Sequence, residues 1–180
     1  GIIGAGRIGQ VHMRSILTGV QNANIRAIAD PYLSEQAETL AKSFGIEHIY
    51  RDHRRILDDR KIDAVLVCSS TDTHAQFSIE AIQAGKHVFC EKPIDHDLSK
   101  IAEVEAALKS AKKPLRYQVG FNRRFDHNFR ALKKAVDDGK VGDVQFIRVS
   151  SRDPVPPPAG YVESSGGLFL DMMIHDLDMI

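Results

Sequence analysis

The sequence is poor in the features that direct a chain to nucleic acid, to a membrane or to an oxidising compartment. It carries no excess of charge: 24 basic and 24 acidic residues cancel to a formal net charge of zero. Bulk electrostatics therefore give no reason to expect nucleic acid or an anionic membrane as partner. Cysteine is scarce, with Cys68 and Cys90 far apart in apolar, strand-like runs. They make no disulfide framework and read as reduced, buried thiols of a cytoplasmic protein. No apolar run approaches the ~20 residues that a membrane span needs, and no stretch reads as a signal peptide. There is no internal repeat. What remains is an ordinary globular composition, 43% apolar and 27% charged over 180 residues, sufficient for a sizeable core.

The most informative stretch comes first. Gly1-Ile2-Ile3 is a short apolar strand that runs into Gly4-x-Gly6-x-x-Gly9, and a helical pattern follows. In a dinucleotide-binding turn the first glycine permits the tight bend. The second lets a pyrophosphate approach the backbone, and the third lets helix and strand pack closely. The N-terminus of the helix then presents N–H groups and partial positive charge to the phosphates. Such a glycine pattern also occurs in turns that bind nothing, so its surroundings decide.

Those surroundings alternate. Strands are expected at Ile25–Ala29, His48–Tyr50, Ala64–Cys68, His87–Cys90 and Leu115–Val119. Between them lie helical patterns. Ala37, Leu40, Ala41 and Phe44 follow the i, i+3, i+4, i+7 rule between an N-cap at Ser34 and a C-terminal Gly45. A further helix spans about Asp72 to Ala84 and ends at Gly85, and Leu98, Ile101, Ala102 and Leu108 mark another. Alternation of this kind predicts an α/β fold with a doubly wound parallel sheet. Near Gly120 the character changes. Phe125, Phe129, Leu132 and Val136 line one helical face that ends at Asp138-Gly139, and Val144–Val149 alternates like an antiparallel strand. We place the boundary at about 119–123, with a dinucleotide-binding domain over 1–119 and the start of a second α/β domain with an open mixed sheet over 120–180. Pro154-Val155-Pro156-Pro157-Pro158 is expected to be an extended loop. The chain begins within its first strand and stops at Ile180 inside a helical pattern, so a longer, truncated protein is expected.

Four groups of residues carry candidate chemistry. Asp30 ends the second strand 21 residues after Gly9, where an acidic residue accepts hydrogen bonds from the adenosine ribose hydroxyls. A carboxylate there repels a 2′-phosphate and favours NAD over NADP; the competing reading is a turn aspartate before Pro31. Ser69, Ser70, Thr71 and His74 follow the fourth strand, at the edge where cofactor loops gather, though Ser70, Thr71 or Asp72 can equally serve as helix caps. Glu91-Lys92-Pro93 follows the fifth strand, with a possible cis bond before Pro93. Lys92 there is placed either to bond a substrate hydroxyl and a cofactor ribose or to be a surface lysine beside a glutamate. Finally, Asp171, His175 and Asp178 fall at i, i+4, i+7 and share one face of a helix, with Met172, Met173, Ile174 and Leu177 as apparent core. An aspartate–histidine pair at this spacing suits a general base, a metal chelate or a structural pair, and spacing leaves the three open.

Taken together, Gly4-Ala5-Gly6-Arg7-Ile8-Gly9, Glu91-Lys92-Pro93, Gly120-Phe121-Asn122-Arg123-Arg124-Phe125-Asp126 and Gly167-Leu168-Phe169-Leu170-Asp171-Met172-Met173-Ile174-His175-Asp176 resemble the Gfo/Idh/MocA oxidoreductase family, and within it the inositol 2-dehydrogenase members. The resemblance implies a Rossmann domain followed by an α/β domain whose sheet packs in homo-oligomers, tetramers among them. It implies a catalytic trio of Lys92, Asp171 and His175, no metal, and NAD as cofactor. The cofactor-binding residues it suggests are Gly4, Gly6, Arg7, Ile8, Gly9, Asp30, Ser69, Ser70, Thr71, His74, Glu91 and Lys92. Asn122, Arg123 and Asp153 are implied to join the trio around a small polyol or sugar. Asp72 departs from the asparagine that many relatives carry. The expected reaction is NAD-dependent oxidation of a ring secondary alcohol of a cyclitol, myo-inositol-like, to the ketone. The alternatives are a dehydrogenase of another sugar, or an NAD-binding sensor without turnover.

Overall fold

The computed structural model describes residues 1–157 and 159–180, and within these every side chain except those of residues 159, 163 and 164. The chain divides into two compact units, Gly1–Gly120 and Phe121–Ile180.

The first unit is built on six strands: β1 (Ile2–Ile3), β2 (Ala27–Ala29), β3 (His48–Tyr50), β4 (Ala64–Val67), β5 (His87–Cys90) and β6 (Tyr117–Val119). All pair in parallel, in the order β3-β2-β1-β4-β5-β6. The intervening helices are α1 (Arg7–Gly19), α2 (Glu35–Ser43), α3 (Arg54–Leu57), α4 (Thr71–Gln83) and α5 (Leu98–Lys109). This is the doubly wound sheet expected from the alternation, with strand order reversing between β1 and β4.

Side chains alternate across each strand, so the sheet sorts its apolar residues into two cores. Ile2, Ile28, Ile49 and Leu66 face the side covered by α1 and α2, where Met13, Ala37 and Leu40 pack. Ile3, Ala27, Ala29, Val65, Val67, Val88 and Cys90 face the other side, against Ala75, Ile82 and Val104. Both cysteines are free and buried. Burial pushes the Cys68 thiol far up and the Cys90 thiol up to about 11, so both are inert at neutral pH.

Local signals hold where expected. The Ser34 side chain accepts from the Ala37 N–H and caps α2, and Gly45 follows it with φ +75°. Several boundaries shift inward: β2 begins at Ala27 rather than Ile25, β4 ends at Val67, and β6 begins at Tyr117. Strand ends are set by where a neighbour can pair, which a run of apolar residues does not reveal. The single-turn helix α3 escaped the sequence pattern because four residues are too few to show a period. Its start is marked by Asp52, whose Oδ1 accepts from the Arg54 N–H at 3.0 Å.

The second unit contains a 3₁₀ turn (Asn122–Phe125), α6 (His127–Asp137), α7 (Ala159–Ser164), a π-helical segment (Phe169–Met173) and α8 (Ile174–Leu177). Asp126 caps α6, accepting from the Asn128 and Phe129 N–H groups. Three expectations fail here. Val144–Val149 forms no strand, and among its described residues the unit has none; alternation makes a strand only where another strand can complete the ladder. The single helical face expected over residues 125–136 is divided, since Phe125 ends the 3₁₀ turn while Phe129, Leu132 and Val136 lie on α6; Phe125 is 66% and Leu132 60% exposed. The stretch from Phe169 is not one α-helix, because a π-helical turn precedes α8, and Leu177, expected in a core, is 60% exposed. Pro154–Pro157 is exposed and non-helical, as expected; Pro158 lies outside the described residues.

Candidate functional site

In the first unit the candidate residues gather where the sheet reverses order. β1 pairs with β2 on one side and β4 on the other, and the loops after these strands open at their carboxyl ends. Gly4 follows β1 with φ +94°, and a Cβ on it would lie 2.4–2.6 Å from backbone atoms of Cys68 and Ser69. No other residue fits. A Cβ on Gly9 would meet the Gly4 carbonyl oxygen at 2.1 Å, so α1 packs on the turn because Gly9 lacks one. Around Gly6, by contrast, nothing lies within 4 Å. The three glycines thus divide as the pattern predicts: two for packing and one that leaves room for an approaching group. Arg7 and Ile8 form the first turn of α1, with Gly6 at the N-cap offering no side-chain bond and no acidic residue in that turn. Its leading N–H groups are those an anion would use. These features fit a dinucleotide pyrophosphate.

Asp30 serves both readings of its position. Its Oδ1 accepts from the Tyr32 N–H at 2.8 Å, as a turn aspartate does, and its Oδ2 accepts from the Ala5 N–H at 2.7 Å. The carboxylate therefore braces the glycine turn. An ionised carboxylate has about four acceptor sites, and two backbone bonds leave capacity for ribose hydroxyls.

After β4, Ser69 Oγ bonds Thr73 Oγ1 at 2.7 Å, and Thr73 Oγ1 donates to the Ser70 carbonyl at 2.7 Å. Ser70 holds the N-cap position of α4 without a side-chain capping bond and is exposed, and Thr71 is half-buried beside it. His74 is different. It is 2% exposed, and both ring nitrogens face backbone carbonyls: Nδ1 that of Pro93 at 2.7 Å and Nε2 that of Ser69 at 3.1 Å. Both contacts are internal and tie the loops after β4 and β5 together. Tertiary packing made the difference, since it turned the residue inward from the first turn of its helix.

After β5, the Lys92–Pro93 bond is cis. Lys92 is half-buried. Glu91 turns to α1, where its Oε1 lies 2.6 Å from His12 Nε2, and the His12 ring stands edge-on to Phe89 at 5.1 Å. Sequence reading did not single out His12. No spacing rule links residues 79 apart, and only adjacency of β5 and α1 does.

In the second unit, Asp171 lies in the π-helical segment and His175 in α8. The change of helix type between them widens the turn, so the simple i, i+4 face does not apply. Asp171 Oδ1 accepts a hydrogen bond from Tyr161 Oη at 2.9 Å, and Phe121 stands edge-on to the His175 ring at 6.5 Å. The neighbouring aspartates are taken by arginines. Asp176 pairs with Arg123, which also donates to Ser151 Oγ and lies over the Phe129 ring. Asp178 accepts two bonds from Arg124 Nε and one from its Nη2, at 2.7–2.9 Å. The guanidinium of Arg123, expected at the substrate, is thereby engaged with Asp176 and Ser151. Asp178, expected beside His175 on one face, turns instead to Arg124. Asn122 is exposed at the start of the 3₁₀ turn, and Asp153 is exposed in irregular chain. Among the described residues, no group of three or more His, Cys, Asp or Glu side chains is arranged to hold a metal. None of the described helices is long and apolar enough to cross a membrane.

Comparison with known proteins adds to this geometry. Residues 1–121 match the model of an oxidoreductase family with an NAD-binding Rossmann fold, and residues 129–180 match the GFO/IDH/MocA C-terminal domain. An uncharacterised oxidoreductase of Bacillus subtilis is 46% identical over 99% of this chain and 51% of its own length. Myo-inositol 2-dehydrogenase of Thermotoga maritima is 44% identical over 99% of this chain and 52% of its own. Among solved structures, scyllo-inositol dehydrogenase from Lactobacillus casei, crystallised with NAD(H) and scyllo-inositol, superposes with a TM-score of 0.87. It is 38% identical over 99% of this chain and 54% of its own. The chain spans about half the length of the curated relatives it matches.

Proposed function

The chain belongs to the Gfo/Idh/MocA oxidoreductase family, and from that premise we propose that it oxidises a ring secondary alcohol of a cyclitol to the ketone with NAD. The observation that carries this reading is the shared sheet edge. The turn left open at Gly6, the Asp30 carboxylate and the Glu91-Lys92-Pro93 segment all follow the carboxyl ends of neighbouring parallel strands. The relatives named for inositol support the substrate class.

In this reading Gly4, Gly6, Arg7, Ile8 and Gly9 hold the pyrophosphate on the N-terminus of α1. Asp30 accepts from the adenosine ribose and disfavours a 2′-phosphate. Ser69, Ser70, Thr71 and Glu91 border the nicotinamide half. NAD, when bound, supplies the hydride acceptor. Lys92 orients the reacting hydroxyl by donating to its oxygen, and His175 takes the hydroxyl proton. Asp171 supports the imidazole, while Asn122 and Asp153 stand near the polyol. Arg123 stands with them, its guanidinium held by Asp176. General-base help of this kind is worth about 10²–10⁴ in rate. A homo-oligomer belongs to the same reading.

The test is formation of NADH, followed by absorbance, against a panel of cyclitols and sugars with NAD and NADP in parallel. NADH formation with a cyclitol and weaker use of NADP are expected. Turnover with an aldose alone moves the substrate to another sugar. Binding of NAD without reduction by any polyol makes the chain a sensor.

A further inference from the structure

Lys92 has a tethered residue on each side. Before it, Glu91 donates its main-chain N–H to the Val67 carbonyl at 3.0 Å, and its carboxylate meets His12 of α1. After it stands Pro93, which is buried and has no N–H, so its carbonyl is the only main-chain group by which it can be held. That carbonyl is met by His74 at 2.7 Å, from the first turn of α4. The other nitrogen of the same ring faces the carbonyl of Ser69, on the loop after β4. One buried imidazole thus spans two loops of the cofactor edge, and one end of it rests on the residue after the lysine.

The two partners of His74 are both acceptors, whereas a neutral imidazole has a single N–H. The contact with Pro93 is the shorter of the two, which favours a hydrogen on Nδ1 directed to that carbonyl. We propose that His74 is a positioning residue for Lys92: its Nδ1–H bond to the Pro93 carbonyl fixes the segment that carries the ammonium. The bond to Pro93 is the operative one, and the contact with Ser69 is secondary. A side chain whose neighbours are pinned samples fewer positions, and displacement of a reacting group by about 1 Å costs on the order of 10²-fold in rate. The catalytic consequence rests on the dehydrogenase reading above; the placement of the proton and of Lys92 does not.

Two substitutions separate the two contacts. The amide nitrogen of asparagine takes the place of Nδ1, and that of glutamine the place of Nε2. His74→Asn therefore keeps a donor to the Pro93 carbonyl, whereas His74→Gln loses it and places one toward the Ser69 carbonyl instead. With an active cyclitol, His74→Asn is expected to retain kcat within about threefold, and His74→Gln to lose about 10–100-fold with KM for NAD and NADH affinity little changed. Nitrogen-15 NMR of the wild-type ring is expected to show the proton on Nδ1. Acetylation of Lys92, read by peptide mass spectrometry, is expected to change rate in His74→Gln and not in His74→Asn. If wild type reduces NAD with no cyclitol or sugar, the activity reading fails by itself, and the NMR and acetylation results decide the positioning role. A proton on Nε2, equal behaviour of the two variants, or a loss of NADH binding parallel to the loss of kcat overturns the proposal.

Discussion

The two units use the same kinds of residue to different ends. In Gly1–Gly120, Ile2, Ile28, Met13, Val65 and Val67 are fully buried, and the six strands are closed on both faces by helices. In Phe121–Ile180, Leu132, Val136, Phe146 and Leu177 are 37–80% exposed. Its described contacts include the Arg123–Asp176 pair, the Arg124–Asp178 bonds and the Tyr161–Asp171 hydrogen bond. The contrast is drawn over a chain that spans about half the length of its relatives. A stripe on a helix is buried only if another surface meets it, and in the first unit the parallel sheet supplies that surface. The residues of the proposed reaction divide in the same way. The open glycine turn and Lys92 stand on a framework fixed by burial, whereas Asp171 and His175 stand on one fixed by charge and hydrogen bonds.

The largest effect tests whether both units serve one reaction. His175→Ala and Lys92→Met should each lower turnover by about 10²–10⁴ while NADH binding, followed by fluorescence, persists. A normal rate in either variant removes that unit's residue from the chemistry. The next effect bears on burial. Ile28→Ala should cost about 2–5 kcal/mol in urea unfolding, while Leu132→Ala should stay within about 0.5 kcal/mol. Equal losses would show that the α6 stripe is covered in solution, and the contrast would disappear.

A smaller effect tests the polar framework. Arg123→Ala should destabilise the second unit by about 1–3 kcal/mol, since it strips a charged hydrogen-bond partner from half-buried Asp176. Hydrogen exchange should speed around α8 and stay unchanged in the β1–β6 sheet. Protection lost across the sheet would contradict the separation. The smallest effect concerns acid. Burial of the Glu80 carboxyl opposes its ionisation, yet hydrogen bonds from Gln76 and His53 outweigh burial and hold it below its usual value. Its contribution is therefore fully present above the ordinary carboxylate pKa of about 4.3 and is lost as pH falls through the lowered folded value. Glu80→Gln should flatten acid unfolding of the first unit by a few tenths of a kcal/mol, given its partial exposure. An unchanged acid limb would assign that limb to other carboxylates.

The first unit was far more legible than the second. Gly4, Gly6 and Gly9 took the three places that their spacing implied, and the parallel sheet followed from strands alternating with helices. Ser34 and Gly45 bounded α2 as capping chemistry requires. Asp30 was partly legible: its distance from Gly9 placed it at the turn, but the bond to the Ala5 N–H was not visible in spacing. The contacts of His12 with Glu91 and of His74 with Pro93 were invisible, because each joins residues on elements brought together only by the sheet. In the second unit, the i, i+4 relation of Asp171 and His175 assumed an α-helix throughout. The π-helical segment changed it, and arginines more than 50 residues away took Asp176 and Asp178.

The sequence by itself determined the alternation of strands with helices in the first unit, the glycine turn with its acidic partner, and the family to which the motifs belong. These are local properties, written in period, capping and short spacing. Only the tertiary structure decided that His74 faces inward to hold the segment after Lys92, and that Arg123 pairs with an aspartate. It also decided that one set of apolar stripes is buried while another is exposed. A side chain's partner and its burial depend on which distant residues pack beside it, and periodicity along the chain carries no record of that.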